Sequence, residues 1–108
     1  MTHEVIVSAD ASADLVEIVN WIADHDSPAK AEQVLARIQS TLATLSRFPH
    51  RGAHPRELLA LGIRDYRETA FKPYRIVYYL EARRVIVVLI ADGRRDMQAL
   101  LARRLLGA

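Results

Sequence analysis

Hydrophobic and polar positions along the chain repeat first as a strand, then as helices, then as strands again. Glu4 to Val7 (EVIV) is short and β-rich and reads as a first strand. After Ser8, Leu15, Ile18, Val19 and Ile22 stand at i, i+3, i+4 and i+7, one apolar face of a helix over Ala9 to His25. Ser8 suits its N-cap, and Asp10 and Asp14 place acidic groups early in the helix, where they complement its dipole. Trp21 flanks the stripe and is expected in the core. Ser27-Pro28 marks the next start, a capping hydroxyl followed by proline at the first helical position. The second helix is predicted from Pro28 to about Arg47, burying Val34, Leu35, Ile38, Leu42 and Leu45. So few residues separate the two helices that they must fold back as an antiparallel hairpin.

Phe48-Pro49 closes that helix, and His50 to Leu61 reads as a loop, with room for one helical turn over Arg56 to Ala60. From Gly62 to Phe71 the pattern alternates imperfectly, with Ile63, Asp65, Arg67 and Thr69 on one side and Arg64, Tyr66, Glu68 and Ala70 on the other. A strand half-polar on both faces is an edge strand or lines a functional surface. Tyr74 to Leu80 and Val85 to Ile90 (VIVVLI) follow as two strands joined by a hairpin-length link, the second apolar enough to be buried on both faces. After Asp96, Met97, Leu100, Leu101 and Leu105 are spaced as an amphipathic last helix. The order β-α-α-β-β-β-α predicts an α+β fold: a helical hairpin packed on a small, mainly antiparallel sheet, with a short C-terminal helix.

Length and composition bound the function. At 108 residues, 51% hydrophobic and 26% charged, the chain is expected to be a single domain over residues 1–108. No run is long enough to span a membrane, and no secretion leader is read at the N-terminus, so a cytoplasmic protein with no membrane partner is expected. The absence of cysteine excludes disulfides and thiolate metal sites and fits a reducing compartment. The net charge of +2 hides an asymmetry. Residues 1–46 carry two basic against seven acidic groups, a balance of −5, and residues 47–108 carry thirteen against six, a balance of +7. That split points to a surface facing an anionic or acidic partner, or else to a solvated arginine-rich face.

Candidate chemistry is narrow. His3, His25, His50 and His54 show no metal-ligand spacing on one element, so neither a metal nor a cofactor is expected. Glycine-rich phosphate loops, nucleophile elbows and paired carboxylates are missing. What remains is a set of arginines, Arg64, Arg67, Arg75, Arg94 and Arg95, interleaved with Tyr66, Tyr74, Tyr78 and Tyr79. The tyrosines read as sheet packing. Arg75 differs, because alternation puts it on a central strand beside Val77 and Tyr79, where a merely solvated charge has little reason to be.

In SADASADLVEIVNWIA, the LSRFP that ends the second helix, the hairpin PYRIVYYLEARRVIVVLIADGRRD and the terminal helix, the sequence resembles the RelE/ParE superfamily of bacterial type II toxin–antitoxin toxins, closer to the ParE-like branch. The resemblance covers nearly the whole chain. It implies a toxin held inactive by a cognate antitoxin in a hetero-oligomer, of the kind linked to plasmid stabilisation. ParE-like members inhibit DNA gyrase; RelE-like members cleave messenger RNA on the ribosome with basic residues and a C-terminal tyrosine or histidine. Arg75 matches the arginine of the RelE-like central strand, and Arg95 the basic residue after the last strand. Tyr66 and Glu68 stand where RelE-like lysines would, with Arg67 a substitute for one, and Leu101 stands where the catalytic tyrosine would be. A nuclease lacking its general acid and base would lose on the order of 10²–10⁴ in rate per missing group. The resemblance therefore implies a non-enzymatic gyrase inhibitor, with Arg75, Arg94, Arg95, Arg103 and Arg104 as target-binding residues. The alternatives are a nuclease built on Arg67, Arg75 and Arg95, and a decayed module that only binds antitoxin.

Overall fold

Two serines set the N-terminal half. In the computed structural model, which describes residues 2–107, β1 (Glu4–Val7) ends at Ser8, whose hydroxyl accepts the Ala11 N–H at 3.1 Å and starts α1 (Ala9–His25). Ser27 does the same for the Lys30 N–H at 3.0 Å, with Pro28 at the first position of α2 (Pro28–Thr44). The predicted helical hairpin forms, but α2 stops at Thr44 rather than Arg47. Residues 45–47 form tight turns instead, in which the Ser46 and Arg47 N–H groups donate to the Ala43 and Thr44 carbonyls.

A single turn, α3 (Arg56–Leu59), precedes β2 (Tyr66–Phe71), β3 (Tyr74–Glu81), β4 (Arg84–Asp92) and α4 (Met97–Leu106). The strand expected from Gly62 begins only at Tyr66. Gly62 is in the left-handed region at φ 77 and, with the Ile63 N–H donating to the Leu58 carbonyl, closes α3. The sheet order is β1-β4-β3-β2, with β1 parallel to β4 and the other pairs antiparallel.

Both faces of β4 are covered, as its continuous apolar run predicts. Val85, Val87 and Ile90 join Ile76 and Tyr78 under α1 and α2, where Ala11, Ile22, Val34 and Ile38 complete that core. Leu89 and Ala91 join Val77 on the opposite face, packed by Leu58 of α3 and by Met97 and Leu101 of α4. The faces are kept in phase by a bulge: Val77 pairs with Leu89 but Tyr78 pairs with Val87, leaving Val88 as the extra residue.

Trp21 is not in the core. It is 61% exposed, because at about 100° per residue it lies a third of a turn from the buried Ile22. Its ring instead stacks on His25 at 4.2 Å and 9°. No helix among the described residues is long and apolar enough to cross a membrane.

Candidate functional site

Arg75 leaves β3 on the face covered by α3 and α4, the side that the sequence alternation assigns it with Val77 and Tyr79. Its cross-strand neighbours are both alanine, Ala70 on β2 and Ala91 on β4, so the guanidinium has room to lie across the sheet. There it meets two carboxylates. Glu57 of α3 accepts from Nη1 at 2.9 Å and from Nη2 at 2.8 Å, a fork-to-fork pair. Glu68, on the same face of β2, accepts from Nε at 2.5 Å and from Nη2 at 3.0 Å. All three side chains are largely buried, between 14% and 20% exposed, so water does little to weaken the arrangement. Hydrogen bonding to Arg75 outweighs desolvation and holds the Glu57 carboxyl down at about 2, and the same bond raises the guanidinium's affinity for its proton. The sequence singled out Arg75 and missed Glu57, which had no motif to mark it.

Gly93 lets the chain pass this cluster. A Cβ there would lie 2.7 Å from Arg75 Cδ and 3.1 Å from the Pro73 carbonyl oxygen, which accepts the Gly93 N–H at 2.7 Å. The two arginines that follow differ from each other. Arg94 folds back on Asp92, which accepts from its backbone N–H and Nε at 2.9 Å each and from Nη2 at 2.6 Å. That contact lowers the Asp92 carboxyl pKa. Arg95 has no ion pair among the described residues and is exposed.

Both arginines rim a groove of about 770 Å³ between the second half of α1 and the ends of β3 and β4. Its walls include Ile18, Ile22, Ile90, Tyr74 and Trp21, and its α1 rim carries Asp14, Glu17 and Asp24. An apolar trough with acids along one rim and guanidinium groups along the other suits an amphipathic segment better than a small anion.

The remaining candidates are dispersed. Arg67 leaves β2 on the opposite face from Arg75, where Nη1 donates to the His50 and Gly52 carbonyls at 3.2 and 2.9 Å. Arg67, Arg75 and Arg95 therefore do not surround one reacting point. Arg104 turns inward from α4: Nη1 and Nη2 donate to the two Asp14 oxygens at 2.9 Å each, and Nη1 also reaches the Val88 carbonyl at 2.8 Å. Of the tail pair only Arg103 is exposed. Leu101, at the position of the expected acid–base group, is 1% exposed within the core. Both carboxylates near Arg75 are committed to it.

This geometry has relatives. The family model described as the ParE toxin of the type II toxin–antitoxin system parDE matches residues 5–97, from β1 to the first residue of α4. Toxin ParE3 of Caulobacter vibrioides is 30% identical over 100 residues, covering 93% of this chain and 96% of that protein. Among solved structures, a chain of the chromosomal ParDE toxin–antitoxin system from P. aeruginosa superposes with a TM-score of 0.70 at 16% identity, over 84% of this chain and 96% of its own. A chain of the toxin–antitoxin complex RelBE2 from Mycobacterium tuberculosis gives 0.63 at 19% identity, over 85% and 99%. The α+β architecture read from the sequence is thus the fold of these toxins, and the chain belongs to the ParE toxin family of type II toxin–antitoxin systems.

Proposed function

We propose that this toxin arrests growth by binding DNA gyrase, without cutting RNA, and that a cognate antitoxin neutralises it in a cytoplasmic hetero-oligomer of the plasmid-stabilising kind. The observation that carries the reading is the Arg75 clamp. Four hydrogen bonds to Glu57 and Glu68 occupy the guanidinium that a RelE-like nuclease would turn on a phosphate. The buried Leu101 supplies no acid or base beside it.

The antitoxin is expected to lay an amphipathic helix in the α1 groove. Strand addition at β2 is less favoured, because that edge is already in use. Ala53 accepts the Glu68 N–H at 2.7 Å, and His54 Nδ1 lies 2.9 Å from the Tyr66 carbonyl. Charge agrees with a helix of mixed polarity, an acidic group meeting Arg95 at one rim and a basic one meeting Glu17 and Asp24 at the other.

The test is expression of the chain alone, followed by assays on the purified protein. Inhibited DNA supercoiling with intact messages, reversed by co-expressing the small adjacent reading frame, is the expected result. Cleaved messages on ribosomes with unaffected supercoiling would overturn it, and unimpaired growth with a well-folded chain would reduce the protein to an antitoxin-binding module.

A further inference from the structure

A second surface lies on the sheet face opposite Arg75, in the loop between α2 and α3. From residue 47 to 55 this loop carries Arg47, His50, Arg51 and His54 and no carboxylate. It is held rigidly. The buried Tyr78 donates its hydroxyl to the Pro49 carbonyl at 2.7 Å, Arg67 Nη1 donates to the His50 and Gly52 carbonyls, and Glu68 anchors Ala53. Gly52 permits the close approach, since a Cβ there would lie 2.5 Å from both the Tyr78 hydroxyl and the Glu68 carbonyl oxygen. A loop tied down at successive residues presents its outer side chains with little further ordering to do on binding.

Those outer side chains form a particular set. Phe48 is 47% exposed, and the Arg51 guanidinium covers one of its faces at 4.2 Å from the ring centre. Arg47 and Arg51 have no ion pair among the described residues, and Arg67 has two nitrogens, Nε and Nη2, without a hydrogen bond there. Among the large apolar side chains of the loop, Phe48 alone is well exposed, which is too little for the apolar centre of a protein interface. A half-exposed aromatic ring with Arg51 on one face, Arg47 beside it in the chain and Arg67 tied to the same loop is the equipment for stacking a base and holding the phosphates beside it.

We propose that this loop binds single-stranded nucleic acid, with a base against Phe48 and backbone phosphates against Arg47, Arg51 and Arg67. Duplexes fit less well, because their bases are already stacked and present no face to Phe48. The surface is separate from the groove and from Arg75, so it stands or falls apart from the gyrase reading.

Fluorescence anisotropy of the full chain with labelled 12-nucleotide single strands of DNA and of RNA, at several salt concentrations, tests this. Unlabelled duplex and polyglutamate serve as competitors. Both single strands are expected to bind, with a preference between them showing whether the 2′-hydroxyl is read. Phe48→Ala should weaken binding roughly ten-fold, the loss of one stacked base. The double variant Arg47→Ala, Arg51→Ala should lower the slope of log affinity against log salt by about 1.4, two phosphate contacts on a single strand. Lys30→Ala, on an exposed part of α2, is the charge control. Far-UV circular dichroism should show every variant folded, since these side chains lie outside the core. Binding that none of the loop variants changes, no salt-dependent binding at all, or stronger competition by polyglutamate than by single strands would each overturn the proposal, the last by making the loop a surface for acidic protein.

Discussion

Glu57→Gln is the substitution that most directly tests the Arg75 clamp. The native carboxylate makes two charge-assisted bonds to the guanidinium, with 14% and 15% of the two side chains exposed. These hold the Glu57 carboxyl at about 2, against 4.5 for the free group. At about 1.4 kcal/mol per pKa unit, that difference amounts to roughly 3 kcal/mol of native stability. The folded pKa lies below the unfolded one, so the contribution is complete above about pH 4.5 and is lost as the pH falls towards 2. Glutamine keeps the shape and one acceptor, and Glu68 still neutralises Arg75, so the expected loss at pH 7 is about 2 kcal/mol.

Urea unfolding followed by far-UV circular dichroism at pH 7, 5 and 3 reads this directly. The gap between native protein and variant should be nearly equal at pH 7 and 5. By pH 3 it should fall to less than half, because the unfolded chain then takes up a proton at this carboxyl, which glutamine cannot do, while the folded carboxyl is still ionised. A gap of constant size from pH 7 to pH 3 would refute the reasoning, since the ionised carboxylate would then contribute nothing that an amide does not.

Three further outcomes are expected. Arg104→Ala should destabilise the fold by about 2 kcal/mol in the same urea assay, because it leaves the largely buried Asp14 without its ion-pair partner, whereas Arg103→Ala should leave the midpoint unchanged. Gly93→Ala should cost about 1–3 kcal/mol, as its methyl group must displace Arg75 or the Pro73 carbonyl, and a thermal melt matching the native one would contradict that crowding. Ala82→Gly should raise the melting temperature slightly, by about 0.5 kcal/mol of stability, since Ala82 opens the β3–β4 turn at φ 54, where only glycine is at ease.

Local chemistry explains which parts of the fold were legible in the sequence. The helix starts follow from Ser8 and Ser27-Pro28, whose hydroxyls cap the backbone within three residues, so no distant contact is needed to place them. The doubly buried β4 follows from its apolar run. The late start of β2 and the bulge at Val88 did not follow, because each depends on tertiary partners: α3 closing on Gly62, and two helices competing for the faces of one strand. Trp21 was misplaced because an apolar residue beside a helical stripe looks buried until the width of the groove is known. For the site, alternation gave the face of Arg75 but not its partners. Glu57 lies 18 residues away and Glu68 seven, and only the β2–β3 pairing and the docking of α3 bring them together. The alanines across from Arg75 are the nearest thing to a signal, since small neighbours on both sides leave a long side chain free to lie down.

The charge asymmetry needs the same distinction between local and tertiary. β1 is four residues long and β4 is nine, so the edge of β4 beyond Val87 lacks a strand partner on that side. Asp14 and Arg104 supply one. Asp14 accepts the Ile90 N–H at 3.0 Å, and Arg104 donates to the Val88 carbonyl while pairing with Asp14. One residue of the acidic half and one of the basic half are therefore consumed in joining α1 to α4, and Glu57 and Glu68 consume Arg75 in the same way. The double reversal Arg103→Glu, Arg104→Glu would confound surface charge with this internal seam, whereas Arg103→Glu alone changes only the surface. A surplus of +7 counted along residues 47–108 thus overstates what a partner meets. The cations available for recognition are exposed ones without a carboxylate partner, among them Arg95 at the groove, Arg47 and Arg51 on the loop and Arg103 on α4, and it is there that anionic partners are to be sought.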